Sequence, residues 1–160
     1  GEVVIVTRRI EQPCWEKDGL PAGLWSDGLL ERVFYMQPAG EAHGVLQIFI
    51  NGQGAIALQG LAPTAVGAMV MRELARVRPS TAGAVSLGHV HDWNAQPYQR
   101  GHLLSYGPGD IGRYEALLAQ PAGALYFAGE HCGKLMVGLE AACEAAENAV
   151  VRLLDDIDKA

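Results

Sequence analysis

The sequence predicts a mixed α/β fold with α+β character in its first half, where strands dominate before helices take over. Three observations carry that prediction. Val3-Val4-Ile5-Val6-Thr7 is a β-branched apolar run, which favours a pleated strand. Residues 62–78 set Val66, Met69, Val70, Leu74 and Val77 on one helical face. Met136, Leu139, Cys143, Ala146, Val150, Leu153 and Ile157 recur at three- and four-residue steps, with Glu140, Glu144, Glu147 and Asp158 on other faces of the same long helix.

The elements between these anchors follow from punctuation. Residues 12–28 contain Pro13, Gly19, Pro21, Gly23 and Gly28 and read as an excursion with short strands. Residues 31–37 and 44–51 are two further strands, separated by the turn-prone Pro38-Ala39-Gly40. Gly52-Gln53-Gly54 reads as a hairpin turn. Thr64 is the expected cap of the first long helix and Pro79 its stop. Residues 84–90 form a strand leading into His91-Asp92-Trp93. Residues 93–110 carry Pro97, Gly101, Gly107, Pro108 and Gly109 and should be mostly loop. Residues 111–120 make a short helix ended by Pro121, and Ala124-Leu125-Tyr126-Phe127-Ala128 predicts a buried strand.

A chain of 160 residues is long enough for one domain with a real core. Its net charge of −6 has the wrong sign for a nucleic-acid or anionic-membrane surface. No apolar run approaches the roughly 20 residues of a membrane span. The start, Gly1-Glu2-Val3-Val4, lacks the basic and apolar regions of a signal peptide. Cys14, Cys132 and Cys143 are an odd set without CxxC spacing, so reduced thiols in a cytoplasmic protein are expected.

Residues 124–138 hold the junction most open to a ligand. A strand there delivers the chain to a helix start, whose unpaired N–H groups and positive dipole end favour an anionic or electron-rich group. Gly129, Gly133 and Gly138 let such a group approach the backbone. A plain strand-to-helix connection has the same pattern, so both readings stand on the residues alone.

Leu125-Tyr126-Phe127-Ala128-Gly129-Glu130, followed by Gly133, Met136 and Gly138, resembles the C-terminal FAD-binding signature of the flavin-containing amine oxidases. That family includes monoamine, polyamine and L-amino-acid oxidases. Two further blocks resemble it in the same order. Trp93 to Pro108 is similar to a segment running from a flavin-adjacent tryptophan to an aromatic- and glycine-rich turn. Pro13-Cys14-Trp15-Glu16, with Gly23 and Asp27 behind it, is similar to a Pro-Phe-Trp passage in the substrate domain.

The resemblance implies the C-terminal part of a two-domain FAD-dependent fold. Residues 1–90 would belong to its substrate-binding domain and residues 91–160 to its FAD-binding domain. Cofactor contacts fall on Trp93, Gly129, Glu130, Met136 and Val137. The Gly-Glu turn would lie near the phosphates and ribityl chain of FAD, with the following helix start at the flavin's pyrimidine end. The implied reaction oxidises an amine or amino-acid C–N bond to an imine by hydride transfer to the flavin. Dioxygen then reoxidises the flavin and leaves as hydrogen peroxide.

The family holds the ADP half of FAD on an N-terminal βαβ unit with a GxGxxG loop, which has no counterpart in this sequence. The implied partners are that missing FAD-binding portion, in the same polypeptide or a separate chain, with a small amine or amino acid and dioxygen. A homo-oligomer is compatible with the pattern, and the chain alone is expected to be inactive.

Three positions depart from the family. The lysine that many members carry before the Pro-Phe-Trp block, holding a water near the flavin, falls on Ile5. The two rings that often flank the substrate fall on Leu103 and Leu135, which lack the ring quadrupole that orients an amine. Ile5, Leu103 and Leu135 are therefore candidate walls of a greasier pocket. The two leucines favour, as an alternative, a member that oxidises or desaturates a different, apolar substrate. A noncatalytic flavin-binding scaffold subunit is the other alternative. His102 stands where some members attach flavin through a cysteine, and a polar loop residue is its plainer reading.

The remaining constellations read as structure. His89-x-His91 with His131-Cys132 lacks the paired spacing of a zinc site, so no metal is expected. Cys132 near a helix start reads as a buried thiol. Ser105, His102 and Asp110 resemble a triad only by composition, without a GxSxG elbow. Asp155, Asp156 and Asp158 sit where the helix dipole disfavours them, which predicts fraying.

Overall fold

The computed structural model describes residues 2–10, 13–37, 39–41, 43–85, 88–134 and 138–159. The chain divides into two units, Gly1–His102 and Leu103–Ala160. In the first, strand β1 (Val3–Ile10) is the hub. It pairs antiparallel with β4 (Gly44–Asn51) along its whole length, from Val3 opposite Asn51 to Ile10 opposite Gly44. On its other side it pairs with β5 (His89–Asp92). β3 (Arg32–Met36) flanks β4, and the short β2 (Leu24–Trp25) forms the outer edge. The five-stranded order is β2-β3-β4-β1-β5, with every pair antiparallel.

Side chains alternate across a pleated strand, so this register sorts them between two faces. Val4, Val6, Ile10, Val33, Leu46, Ile48 and Ile50 share one face and are buried. Helices α1 (Gly52–Leu58) and α2 (Pro63–Val77) close that face with Ala55, Leu58, Val66, Val70 and Leu74. Each fully buried aliphatic side chain contributes about 1.5–3 kcal/mol, so this layer dominates the stability of the unit. Trp15, in a 3-10 turn at Cys14–Asp18, packs edge-on to Tyr35 at 4.5 Å and completes the layer.

Two arginines enter the core. Arg8 lies on the α2 side of β1, where Gly67 makes room: a Cβ there would collide with Arg8 Nη2. Burial pushes the Arg8 guanidinium below its ordinary range. Arg78 Nη2 donates to the Gly23 carbonyl at 2.9 Å, and the guanidinium lies 5.8 Å from the Trp15 ring centre. Burial also lowers the Arg78 pKa, with Asp18 and Cys14 acting against it.

The structure departs from the sequence expectations at several points. Gly52-Gln53-Gly54 opens α1 and is not a hairpin turn. The Glu31 carboxylate accepts from the Asn51 N–H at 3.0 Å and from Asn51 Nδ2 at 2.7 Å, which fixes the residue that leads into the helix. Thr64 does not cap α2, because Ala62 takes that position and Pro63 starts the helix without needing an N–H partner. The strand expected over 84–90 begins only at His89; Val85 makes an isolated bridge to Ile10, and Ser86 and Leu87 lie outside the described residues. Within the first unit β5 pairs with β1, and the Trp93 N–H donates to the Val3 carbonyl at 3.2 Å.

The second unit contains α3 (Asp110–Leu118) and α4 (Leu139–Asp158). The run 124–128 is not a buried strand: Leu125 only bridges Ala122, and Leu125 and Phe127 are exposed. A strand needs a neighbour to take its N–H and C=O groups, and the described residues supply none. In α4 the unit buries Ala141 and Ala145, whereas the expected apolar stripe faces outward, with Leu139 82% and Ile157 60% exposed. The helix continues to Asp158 without fraying, and Asp156 accepts from the Tyr126 hydroxyl at 2.8 Å.

The β1 edge contact makes a direct test. A Cβ at Gly88 would overlap the Thr7 carbonyl, a backbone group that cannot swing aside. Gly88→Ala should destabilise the protein by about 1–3 kcal/mol, read as a lower thermal midpoint; an unchanged midpoint would contradict this register.

Candidate functional site

The face of the sheet opposite the core carries a line of chemically distinctive side chains. Trp25 pairs with Arg32, Arg32 with Phe49, Phe49 with Ile5, and Ile5 with His91, so one row crosses all five strands. The next row on the same face runs Phe34, Gln47, Thr7 and His89. Strands lie about 4.8 Å apart, which brings the rings of the two rows into contact.

The rings form a continuous chain. Trp25 meets Phe34 at 6.5 Å between ring centres, Phe34 meets Phe49 at 5.7 Å, and Phe49 meets His102 at 6.4 Å. His102 lies 5.5 Å from Trp93, which lies 4.4 Å from His91, itself 5.9 Å from His89. The Arg32 guanidinium is held between Trp25 at 5.6 Å and Phe49 at 5.7 Å. Ile5 sits beneath these groups at 9% exposure.

Two polar atoms in this cluster are buried without a hydrogen-bond partner among the described residues: His91 Nε2 and Trp93 Nε1. An unsatisfied buried donor or acceptor costs about 1–3 kcal/mol. Arg8 Nε and Arg78 Nε and Nη1, on the core side of the sheet, are in the same state.

A second candidate lies within the other unit. Gly129, at φ +140°, precedes a 3-10 turn at Glu130–Cys132, and a Cβ on it would press against the His131 ring at 2.9 Å. Glu130 Oε1 is buried with no donor among the described residues. α4 starts after Gly138, at φ +103°, with no side chain capping its first turn. Cys132 donates through Sγ to the Leu118 carbonyl at 3.2 Å, and burial raises its pKa, so it is a structural thiol. Between α3 and α4 an open groove of about 780 Å³ is lined by residues including Tyr126, Phe127, Glu144 and Arg152.

The sequence candidates are thus partly gathered. Ile5, Trp93 and His102 stand in one ring-lined cluster, and Gly129 and Glu130 in one turn. Leu103 is 39% exposed at the start of the second unit. Leu135, Met136 and Val137 lie outside the described residues. Trp25, Arg32, Phe34 and Phe49 were not singled out, because only the register of β3 and β4 aligns them with Ile5. Asp110 accepts from the Gly107 N–H at 2.9 Å and so serves the start of its own helix. Among the described residues no group of three or more His, Cys, Asp or Glu could hold a metal ion, and no helix is long and apolar enough to cross a membrane.

The sequence profile of the family described as flavin containing amine oxidoreductase matches residues 1–154. The chain belongs to that family. This flavin amine oxidoreductase chain is 28% identical over 154 residues to the flavin-dependent L-tryptophan oxidase RebO of Lentzea aerocolonigenes, covering 91% of this chain and 33% of the relative. It is similar in structure to the cyclohexylamine oxidase of Brevibacterium oxydans IH-35A, with a TM-score of 0.83, 20% identity, and coverage of 99% of this chain and 36% of the oxidase. A putrescine oxidase bound to putrescine gives a TM-score of 0.78 at 23% identity, covering 99% of this chain and 35% of the enzyme. At these identities the structural likeness shows the fold, a mixed α/β part of an amine oxidase. The chain spans about a third of the length of the relatives it matches.

The thiols offer a check on the geometry of the flavin amine oxidoreductase chain. Cys143 is exposed, whereas Cys132 is buried and held protonated. Iodoacetamide near neutral pH should alkylate Cys143 at least about tenfold faster, since the thiolate is the nucleophile. Equal rates by mass spectrometry would contradict the packing around Cys132.

Proposed function

We propose that this chain is the C-terminal part of an FAD-dependent amine oxidase, and that the face carrying Ile5, Phe49, His91 and Trp93 is the wall that holds its substrate. The observation that carries this reading is the ring-lined row with two buried, unpartnered polar atoms, in a chain of a flavin amine oxidoreductase family. The relatives are named as oxidases of L-tryptophan, cyclohexylamine and putrescine, which share an amine.

Of the residues assigned to FAD, Gly129 and Glu130 have surroundings that suit it. The buried, unpartnered Glu130 Oε1 is an anionic acceptor, which suits the hydroxyl groups of a ribityl chain better than a phosphate. Gly129 leaves space where a side chain would strike His131. The uncapped amides at the start of α4 favour an electron-rich partner. Met136 and Val137 complete the assignment by position. When bound, FAD supplies the two-electron oxidation of a C–N bond, with dioxygen as final acceptor.

This chain's own residues position the substrate and exclude water. Phe49 presents a ring against which an amine-bearing carbon packs, and Trp93, assigned to the flavin side, borders it through His102. His91 Nε2, which has no partner among the described residues, is the polar atom of this wall that a substrate N–H or hydroxyl would meet. Ile5 keeps its part of the wall dry, where a lysine would hold a water. The outward apolar stripe of α4 is covered by the FAD-binding portion that completes the enzyme, in the same polypeptide or a second chain. Three free cysteines suit a cytoplasmic setting.

Oxidation or desaturation of an apolar substrate is the second reading, favoured by the leucine at 103 where the family often carries a ring. Peroxide release from a panel of amines and amino acids, against apolar substrates without nitrogen, separates the two. The complete enzyme should be yellow, and Glu130→Ala should weaken flavin retention about tenfold or more through the loss of a charged hydrogen bond. An enzyme that binds no flavin would leave only a noncatalytic scaffold.

A further inference from the structure

We propose that His91 captures the substrate's ammonium group, and does so only while its imidazole is uncharged, so that amine binding is switched off in acid. This rests on the substrate-wall reading of the same face and deepens it.

His91 ends the row that begins at Trp25, directly opposite Ile5 in the pairing of β1 with β5. It is half-buried, with its ring centre 4.4 Å from that of Trp93, and its Nε2 has no partner among the described residues. Arg32 lies three strands away in the same row, roughly 14 Å at the usual strand spacing. Its guanidinium repels an ammonium group from that end of the wall.

The charges around His91 leave an ammonium no carboxylate to pair with. On β5 itself, His89 is exposed, with its ring centre 5.9 Å away. Asp92 alternates to the other face and accepts from the Asn94 N–H and Nδ2. β1 contributes Arg9, two rows off, and β3 contributes Arg32. The segment after β5 contributes His102, beyond Trp93, and the exposed Arg100. Helix α2 packs on the opposite face. Gln47 and Thr7 in the neighbouring row are further acceptors, but neither changes its charge near neutral pH.

A neutral imidazole keeps one nitrogen as an acceptor, whereas an imidazolium has two donors and a positive charge. An ammonium is a cation with three donors, so it pairs with the first form and is rejected by the second. Imidazole makes that change between about pH 5 and 8, while an alkylammonium stays charged up to about pH 10. The switch therefore lies in the wall and not in the ligand. A hydroxyl in place of the ammonium is indifferent to it, because a hydroxyl both donates and accepts.

The test uses the complete flavin-loaded enzyme and cumylamine, whose nitrogen-bearing carbon has no hydrogen, so it binds without being oxidised. Cumyl alcohol is its uncharged counterpart. By calorimetric titration, the wild type should lose about tenfold or more in cumylamine affinity from pH 8 to pH 5. Its affinity for cumyl alcohol should move by less than about threefold. His91→Gln keeps an acceptor that cannot titrate, so it should stay within about threefold of wild type at pH 8 and abolish the acid loss. His91→Phe keeps a ring without an acceptor and should weaken cumylamine about tenfold at pH 8, with no further loss in acid. His89→Gln should leave the acid loss in place.

The proposal is overturned by cumylamine affinity that is level with pH in the wild type, or by an acid loss shared with cumyl alcohol. It is equally overturned by an acid loss that survives in His91→Gln or vanishes in His89→Gln. Phe49→Ala keeps these outcomes apart from failure of the wall itself, since lost ring packing should weaken both ligands by about fivefold or more. If it does so while His91→Gln retains the acid loss, the wall stands and only the ammonium capture falls. If neither ligand binds the wild type, or Phe49→Ala moves neither, the wall reading falls and the capture with it.

Discussion

The antiparallel register between β1 and β4 is the constraint on which the first unit rests. With Val3 opposite Asn51 and Ile10 opposite Gly44, the even positions of both strands turn to α1 and α2, and Ile5 and Phe49 turn the other way. A slip of one residue would send Leu46, Ile48 and Ile50 into the open and bury Gln47 and Phe49 in their place. Several buried aliphatic side chains on each strand oppose that slip, each contributing about 1.5–3 kcal/mol. The ring-lined face is therefore positioned by the core behind it: hydrophobic burial on one side fixes the chemistry on the other.

This division of labour explains where polar groups are tolerated. The core side admits Arg8 and Arg78 only where glycine, a carbonyl or a ring makes room for them. The opposite side collects Arg32, His91, Trp93 and His102, with donors and acceptors that the described residues leave unused at His91 and Trp93. Buried polar atoms without partners are rare in folded proteins. Such atoms occur on the core side as well, at Arg8 Nε and at Arg78 Nε and Nη1, so the ring-lined row beside His91 and Trp93 is what distinguishes this face. In the second unit Glu130 Oε1 is likewise buried without a partner among the described residues, and the apolar stripe of α4 is exposed.

Much of the fold was legible because it depends on short-range pattern. The strands expected at 3–7, 31–37 and 44–51 form at Val3–Ile10, Arg32–Met36 and Gly44–Asn51, and the spacing of Val66, Val70 and Leu74 gives α2. The features that were not legible depend on distant partners. The helix start at Gly52 follows an asparagine fixed by Glu31, 20 residues away, and no local rule separates it from a hairpin turn. The run 124–128 has strand composition but no neighbour to pair with. At the site, Ile5, Trp93 and the Gly129-Glu130 turn came from likeness to a family, whereas Arg32, Phe34 and Phe49 needed the register itself. Residues 32–36 do alternate, yet alternation alone does not say which face meets Ile5.

The most direct measurement is a structure of the complete enzyme with a bound amine or amino acid. The account predicts the substrate packed on the Phe49 and Ile5 side of the sheet, with a polar ligand atom within hydrogen-bonding reach of His91 Nε2 or Trp93 Nε1. A substrate held elsewhere, with this face sealed by the protein's own side chains, would contradict it.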